Sequence, residues 1–168
     1  MFIGVDKSLN SAEIEIDTDC EIVCAKITDK HKKSFIVSSF YRPPDSPIEV
    51  TEKFNDIIGN LTRMYPKYTL LVGGDFNHPT IDWENYNFIS GGRDKESCET
   101  LIRAFSENFL EQMVQAPTRD SNTPDLLATN RTDLFQDVLV EKGISDHDVV
   151  VATMVTNMKK PTIKRRKV

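Results

Sequence analysis

The stretch Thr69-Leu70-Leu71-Val72-Gly73-Gly74-Asp75-Phe76-Asn77 joins an apolar run to a polar end. The apolar run predicts a compact buried strand, and the two glycines let backbone or substrate approach closely. In extended chain, Asp75 and Asn77 point to one side while Phe76 points away into the core. The stretch therefore predicts a carboxylate and a carboxamide side by side at the carboxyl end of a strand.

The pairing of Asp75 with Asn77 suits hydrolytic chemistry. A carboxylate can take a proton from water, and an amide can orient that water or donate to a developing oxyanion. A plain turn is an equally good interpretation of these residues alone, because Gly, Asp and Asn are all turn formers. The function of the stretch therefore depends on which other residues fold around it.

Predicted strands and helices lie on both sides of this stretch. Apolar runs between polar turns predict strands at 21–27, 33–41, 69–72, 125–129, 138–141 and 149–155. Apolar residues at steps of three and four predict helices at 48–63 and at about 97–108. Strands dominate, two helices cross between them and many connections are short, which is typical of a layered α/β domain with packed sheets.

Two further polar clusters lie beside predicted strands downstream. Asp125 stands at the entry of one strand, and Ser145-Asp146-His147-Asp148 directly precedes the last one. His147 can hydrogen-bond a phosphate oxygen, and Asp146 can bind a metal or hold a proton. Asp125 can fix the tautomer of a histidine. Taken alone, each cluster also fits a solvated loop or strand end.

A fourth cluster, Tyr41-Arg42-Pro43-Pro44, ends the predicted strand at 33–41. Tyr41 can donate a hydrogen bond to a phosphate, and Arg42 can pair with one in a bidentate manner. An aromatic residue closing the core beside a solvated arginine explains the same residues equally well. The prolines end the strand, because proline lacks an amide donor and keeps the preceding residue extended.

Charge is distributed unevenly along a chain whose formal net charge is −5. The last ten residues hold six of the 21 Lys and Arg residues and no acid. We place a domain at 1–157 and a basic tail or linker at 158–168. Such a tail can bind nucleic acid, act as a nuclear-import signal or remain a solvated linker. The acidic body suits a metal-dependent nuclease, whose carboxylates hold a cation that offsets phosphate charge.

The sequence predicts a nuclear or cytoplasmic protein that is not secreted. No apolar run approaches the roughly 18 to 20 residues of a membrane span, and residues 1–6 lack the features of a signal peptide. Cys20, Cys24 and Cys98 form an odd set without a CxxC pair. We expect all three to be reduced thiols.

The four clusters occur in an order that resembles the endonuclease/exonuclease/phosphatase superfamily, which includes deoxyribonuclease I and the apurinic/apyrimidinic endonucleases. The sequence is most similar to the endonuclease domain of non-LTR retrotransposons, over about residues 1–156. The residues that carry this resemblance are Tyr41-Arg42-Pro43-Pro44, Gly74-Asp75-Phe76-Asn77, Ile81-Asp82-Trp83, Gln115-Ala116-Pro117-Thr118-Arg119, Asp125-Leu126, Thr129-Asn130 and Ser145-Asp146-His147.

The resemblance implies a role for each matching residue in Mg²⁺-assisted phosphodiester hydrolysis. Asp75 would activate the attacking water, and Asn77 would position Asp75 and contact the scissile phosphate. His147 would stabilise charge on a non-bridging oxygen, with Asp125 holding its other ring nitrogen. Tyr41 would contact the phosphate as well.

The resemblance also implies cofactors and partners. Asp146 would help to bind the cation, which is expected to be Mg²⁺ or Mn²⁺, and Arg42 is expected to contact substrate. The substrate would be DNA, cut to leave a 3′-hydroxyl that primes reverse transcription. A reverse transcriptase domain in the full-length element is the expected partner, and no membrane partner is expected.

The fold implied by the resemblance is the four-layer α/β sandwich of deoxyribonuclease I-like proteins. That fold begins with a strand carrying an Asn, then a helix and a strand ending in a metal-binding Glu. Residues 1–5 look like the strand after that Glu, whereas Glu13 and Glu15 fall past it. We therefore expect the first strand–helix–strand segment to be missing, with reduced metal affinity and activity.

Two alternatives to a DNA-nicking enzyme stay open at this point. One is that the chain is a catalytically impaired or inactive remnant of such a domain. The other is that it is a phosphatase or lipid phosphodiesterase of the same superfamily. The Ile81-Asp82-Trp83 and Pro117-Thr118-Arg119 contexts favour the retrotransposon branch. Cleavage of DNA, compared with cleavage of lipid head-group phosphates, separates these possibilities.

Overall fold

The computed structural model describes residues 1–143 and 145–155, and the predicted basic tail at 158–168 lies outside them. Its strands are β1 (Asn10–Ile14), β2 (Glu21–Thr28), β3 (Ser34–Tyr41), β4 (Thr69–Asp75), β5 (Ile81–Asp82), β6 (Asn87–Phe88), β7 (Glu111–Gln112), β8 (Asp125–Thr129), β9 (Phe135–Glu141) and β10 (Val149–Met154). Its helices are α1 (Ile48–Met64) and α2 (Lys95–Glu107), with a 3-10 turn at Thr132–Leu134.

A six-stranded sheet in the order β1-β2-β3-β4-β8-β7 forms the centre of the molecule. Only β3 and β4 run parallel, and α1 makes the crossover that a parallel pair requires. Gly74 allows these two strands to lie together, because a Cβ at this position would stand 1.8 Å from the Phe40 carbonyl oxygen. The carboxyl ends of β3 and β4 therefore meet at one edge, beside the start of β8.

Both helices pack on one face of this sheet. The apolar positions of α1 recur at helical spacing, so that Phe54, Ile57, Ile58 and Leu61 are all buried. The Phe54 ring packs against Phe40 from β3 at 4.6 Å and against Phe76 at 5.3 Å between centroids. This aromatic cluster lies directly beneath the polar end of β4, so the core fixes the strand end that carries Asp75.

The β9–β10 pair is a separate two-stranded ribbon that contacts β8. Partners in an antiparallel pair point to the same side, so Val151 and its partner Leu139 share a face with Val149. These three side chains are 38%, 54% and 51% exposed. The ribbon is therefore much less covered than the central sheet.

The structure confirms the layered α/β arrangement and most predicted elements, including both helices. The predicted strand at 1–5 is wrong, because residues 1–6 form no regular element and the edge strand is β1. The sequence interpretation missed β1, although its Ala12-Glu13-Ile14 continues into Glu15-Ile16 as the alternation of apolar and polar residues that is typical of a strand. Neither helix is long and apolar enough to span a bilayer within the residues that the structure covers.

Candidate active site

Three predicted site residues lie in one row across three adjacent strands. In the sheet register, Tyr41 of β3 is paired with Asp75 of β4, and Asp75 is paired with Asp125 of β8. Paired residues point to the same face, and the flanking Phe40 and Leu126 face the helices. The row of Tyr41, Asp75 and Asp125 therefore faces away from the helices.

The loop that precedes β10 brings His147 to this row. Its Nδ1 lies 2.8 Å from Asp125 Oδ2, and both side chains are about one-fifth to one-quarter exposed. One oxygen or nitrogen from each of Asp75, Asp125 and His147 lies within 4.8 Å of the others. The predicted Asp125–His147 pair is thus formed, although the two residues are 22 positions apart in sequence.

Asn77 lies beside Asp75, at a point where the chain leaves the extended conformation. Its φ is 47°, a left-handed value that asparagine tolerates better than most residues. Its backbone N–H donates to Asp75 Oδ1 at 3.1 Å, and its Nδ2 donates to the Arg42 carbonyl oxygen at 2.8 Å. The Asp75 carboxylate and the Asn77 carboxamide lie close together, as predicted. Phe76, which separates these two residues in the chain, is fully buried.

The Asp75 carboxyl is protonated more readily in the folded protein than it would be in water. Burial raises the pKa of the Asp75 carboxyl, and the negative charge of nearby Asp125 raises it further. The hydrogen bond from Asn77 acts in the opposite direction. A carboxylate with a raised pKa is a stronger base, which suits the acceptance of a proton from water.

Arg42 does not join this group. Because it follows Tyr41 directly in the chain, its side chain points to the helix face, where it is 1% exposed. Its guanidinium donates to the Ser46 carbonyl oxygen at 2.7 Å and to the Asn77 carbonyl oxygen at 3.3 Å. The Asp94 carboxylate lies 3.7 Å from it. The Arg42 guanidinium, to which the sequence analysis gave a role in substrate binding, is therefore already bonded to oxygens of the protein.

Asp146 also lies outside the group, although it is adjacent to His147. Its carboxylate pairs with Arg119 at 2.7 Å, and its side chain is 67% exposed. Consecutive residues of a loop point in different directions, so a metal ligand cannot be assigned from proximity in sequence alone. The structure supplies Asp75 and Asp125 as the nearby carboxylates instead.

Two buried residues near the site, Thr118 and His78, were given no role in it by the sequence interpretation, which took His78 for a loop residue. Thr118 is fully buried and donates its hydroxyl proton to Asp125 Oδ2 at 2.7 Å. His78 is also buried, next to Thr51 and Cys98. Burial and the charge of Arg42 lower the pKa of His78 to about 3. The sequence pointed to Thr118 only through its place in a family motif, and to His78 only through its position beside Asn77.

The chemistry of Asp75, Asp125 and His147 fits a divalent cation. Two atoms that bind one Mg²⁺ at about 2.1 Å are separated by at most about 4.2 Å. The three groups lie within 4.8 Å of one another, so small side-chain rotations suffice. Two carboxylates also supply the hard oxygen donors that such cations prefer. The described residues thus contain a possible acidic metal site.

Comparison with known proteins places this geometry in context. Residues 35–151 match the protein family described as endonuclease-reverse transcriptase. No curated protein sequence matches the chain.

Several solved structures are similar to the chain. An endonuclease/exonuclease/phosphatase family protein from Leptotrichia buccalis aligns with a TM-score of 0.54 and 15% identity, over 89% of this chain and 60% of that one. A mannosyl-6-phosphatase from Bacteroides thetaiotaomicron aligns with a TM-score of 0.52 and 13% identity, over 80% and 56%. The chain thus spans little more than half the length of these structures. Their likeness confirms the predicted deoxyribonuclease I-like fold class.

Proposed function

Since the chain belongs to the endonuclease-reverse transcriptase family, within the endonuclease/exonuclease/phosphatase superfamily, we propose that it nicks DNA by cation-assisted phosphodiester hydrolysis. The observation that carries this proposal is the meeting of Asp75, Asp125 and His147 within 4.8 Å at one edge of the sheet. Asn77 adjoins them through its hydrogen bond to Asp75. A base, a cation ligand set and a phosphate donor are therefore available in one place.

Asp75 is the group that accepts a proton from the attacking water. The water oxygen forms a bond to phosphorus while the bond from phosphorus to the 3′ oxygen breaks. The proton of the water passes to the Asp75 carboxylate, and the leaving oxygen takes a proton from solvent to become a 3′-hydroxyl.

His147 stabilises the charge that develops on a non-bridging phosphate oxygen. Asp125 accepts a hydrogen bond from His147 Nδ1, which leaves Nε2 as the ring atom that can face substrate. A protonated ring then donates from Nε2 to the phosphate. A carboxylate paired in this way holds the orientation of the ring.

Asn77 and Tyr41 orient the reacting groups. The Asn77 carboxamide donates to the Arg42 carbonyl oxygen and its backbone N–H donates to Asp75, so the residue is held beside that carboxylate. Tyr41 stands next to Asp75 in the sheet register, and its hydroxyl is the phosphate donor on that flank. Fixed donors of this kind lower the barrier because they need no reorganisation during the reaction.

The Asp125 carboxylate and one oxygen of Asp75 would hold the cation, for which Mg²⁺ or Mn²⁺ is the proposed identity, which leaves the other Asp75 oxygen to accept the proton and His147 to face the phosphate. A bound cation of this type supplies charge stabilisation at phosphoryl oxygens. Asp146 can contribute only after it releases Arg119.

DNA is the proposed substrate because of the family match and because exposed cations flank the site. Arg119 and Lys142 lie on the two segments next to His147 and are 44% and 87% exposed. Both can contact phosphates on either side of the scissile one. A 3′-hydroxyl product suits a partner reverse transcriptase domain that extends it, and such a pair would act on nuclear DNA.

A phosphomonoesterase is the second candidate. The specific observation in its favour is the fold likeness to the mannosyl-6-phosphatase from Bacteroides thetaiotaomicron. The same base and phosphate donors would serve a terminal phosphate. A phosphomonoesterase has no need for cations along a DNA path, which makes Arg119 and Lys142 the residues that distinguish the candidates.

The test is a nicking assay on supercoiled plasmid DNA with Mg²⁺, using the whole chain. We expect nicking that requires Mg²⁺ and falls by about 10²–10⁴-fold in Asp75→Asn. Asp137→Asn, which changes an exposed carboxylate in β9, is the matched control and should nick normally. Absence of nicking, or equal nicking by Asp75→Asn, contradicts the proposal. Phosphate release from a sugar phosphate without nicking supports the second candidate.

A further inference from the structure

Thr118 lies at the base of a tight hairpin beside the proposed site. Its backbone N–H donates to the Asn122 carbonyl oxygen at 2.9 Å, and Arg119 and Asn122 form an isolated bridge above it. The turn includes Asp120 with a φ of 53°. Although the hairpin is exposed, Thr118 itself is fully buried. The residue is therefore anchored where the hairpin meets the sheet.

The Thr118 side chain makes two hydrogen bonds to Asp125. Its hydroxyl donates to Asp125 Oδ2 at 2.7 Å and accepts from the Asp125 backbone N–H at 3.2 Å. The same carboxylate oxygen accepts from His147 Nδ1 at 2.8 Å. One oxygen of Asp125 is thus held between the threonine and the histidine, which restricts the carboxylate to a single orientation.

The Thr118 backbone makes a third connection, to the loop that carries the histidine. Its carbonyl oxygen accepts from the Asp148 N–H at 2.7 Å, one residue beyond His147. The neighbouring Arg119 and Asp146 add an ion pair between the same two segments, but the two side chains are 44% and 67% exposed. Exposed pairs contribute little, so the buried Thr118 contacts are the stronger link.

We propose that Thr118 is a positioning residue for the Asp125–His147 pair. It fixes the Asp125 carboxylate through its hydroxyl and brings the His147 loop to that carboxylate through its carbonyl oxygen. Because the hydroxyl bonds to a residue that touches the reacting groups, and not to substrate, its effect reaches the reaction through Asp125. This role rests on the proposed function, which assigns Asp125 and His147 to catalysis.

The alternative explanation is that Thr118 only stabilises the hairpin. Thr118→Val separates the two, because valine has the shape of threonine and keeps the backbone bonds to Asn122 and Asp148. It removes only the hydroxyl that contacts Asp125. Thr118→Ser restores a hydroxyl in a smaller side chain. Thr62→Val is the matched control, since the Thr62 hydroxyl donates to the Ile58 carbonyl oxygen within α1.

The experiment measures kcat and KM for nicking, together with the proton NMR signal of the His147 Nδ1–H. Such a proton resonates far downfield when it is bound to a carboxylate, and loss of the signal in His147→Gln assigns it. For Thr118→Val we expect kcat to fall by about 10–100-fold with KM nearly unchanged, as for other groups that orient a histidine partner. We also expect the downfield signal to shift or broaden.

Thr118→Ser should recover most of kcat and the signal, and Thr62→Val should alter neither. The proposal is overturned if Thr118→Val keeps a wild-type kcat and an unchanged signal, or if serine recovers nothing. If the wild-type chain nicks no DNA, the proposed function fails. The NMR comparison still decides whether Thr118 positions the pair.

Discussion

The two halves of the proposed site are built on parts of the molecule that differ in packing. Asp75 and Asp125 extend from adjacent strands of the central sheet, directly above an aromatic cluster that includes Phe76. His147 lies on a loop that leads into the β9–β10 ribbon, whose Leu139 and Val149 are about half exposed. The sheet half is therefore fixed by the core, whereas the ribbon half has few buried apolar contacts.

This difference indicates which interactions complete the site. A segment with little apolar burial opens locally at a lower free energy than a core strand does. The position of His147 then depends on a few hydrogen bonds, of which those of Thr118 and Asp125 are buried or partly buried. The following predictions test this contrast.

Truncation of the core should be far more costly than truncation of the ribbon. Phe76→Ala removes a fully buried ring, so we expect the free energy of unfolding to fall by about 3–5 kcal/mol. Leu139→Ala, on the exposed face of β9, should change it by only about 0.5 kcal/mol. Urea denaturation measures both values. Equal losses would mean that the ribbon is as tightly packed as the sheet.

Acid should weaken the sheet half through His78. The pKa of this buried ring is about 3 in the folded protein against 6.5 when unfolded. As the pH falls from about 6.5 towards 3, the unfolded chain takes up a proton that the folded one does not, so stability is lost. At pH 5 this loss is about 2 kcal/mol.

The variant His78→Gln, which cannot take up the proton, should show a flatter profile of stability against pH. His31→Gln is the control, because His31 is exposed in a turn. Urea denaturation at pH 7 and pH 5 gives the comparison. A pH dependence in His78→Gln as steep as that of the wild type would remove His78 as its source.

Hydrogen exchange should separate the two halves without any substitution. We expect the backbone amides that pair β9 with β10 to exchange at least about tenfold faster than those that pair β3 with β4, since exchange follows local opening. Mass spectrometry or NMR of the wild-type chain measures these rates. Equal protection in the two regions would show that the ribbon opens only when the whole molecule unfolds.

The smallest effect is expected at the exposed ion pair of the ribbon half. Arg119→Gln removes the partner of Asp146, and both side chains are exposed to solvent. We expect the free energy of unfolding to change by less than about 1 kcal/mol, with kcat nearly unchanged and KM for DNA raised, because Arg119 is proposed to contact a flanking phosphate. A large loss of kcat would mean that Arg119, and not Thr118, provides the link between the hairpin and the His147 loop.

Sequence patterns predicted the central sheet because its strands obey simple rules. The apolar run ending in Gly73-Gly74 gave β4, and helical spacing gave α1 with nearly its observed bounds. Strand β1 lies in the alternating stretch Ala12-Glu13-Ile14-Glu15-Ile16, which the sequence interpretation did not use. The two-residue strands carry no such pattern, since pairing with a neighbouring strand creates them. Local sequence does not contain that information.

The sequence predicted the site residues that lie at strand ends better than those that lie on loops. Tyr41, Asp75 and Asp125 follow from register, and the Asp125–His147 contact follows from the family resemblance. The alternation of side chains along β3 already argues against giving Tyr41 and Arg42 the same phosphate, since adjacent residues face opposite sides. For Asp146 no such rule exists, because loop geometry is set by tertiary contacts.

The most direct measurement is a double-mutant cycle of single-turnover nicking rates with Asp75→Asn and His147→Gln. If the two residues act together on one phosphate, each substitution alone costs most of the rate. The double variant should then be no more than about tenfold slower than the slower single variant, because groups that act as a unit are strongly non-additive. Losses that multiply fully, or a single variant that nicks at the wild-type rate, would contradict a shared site.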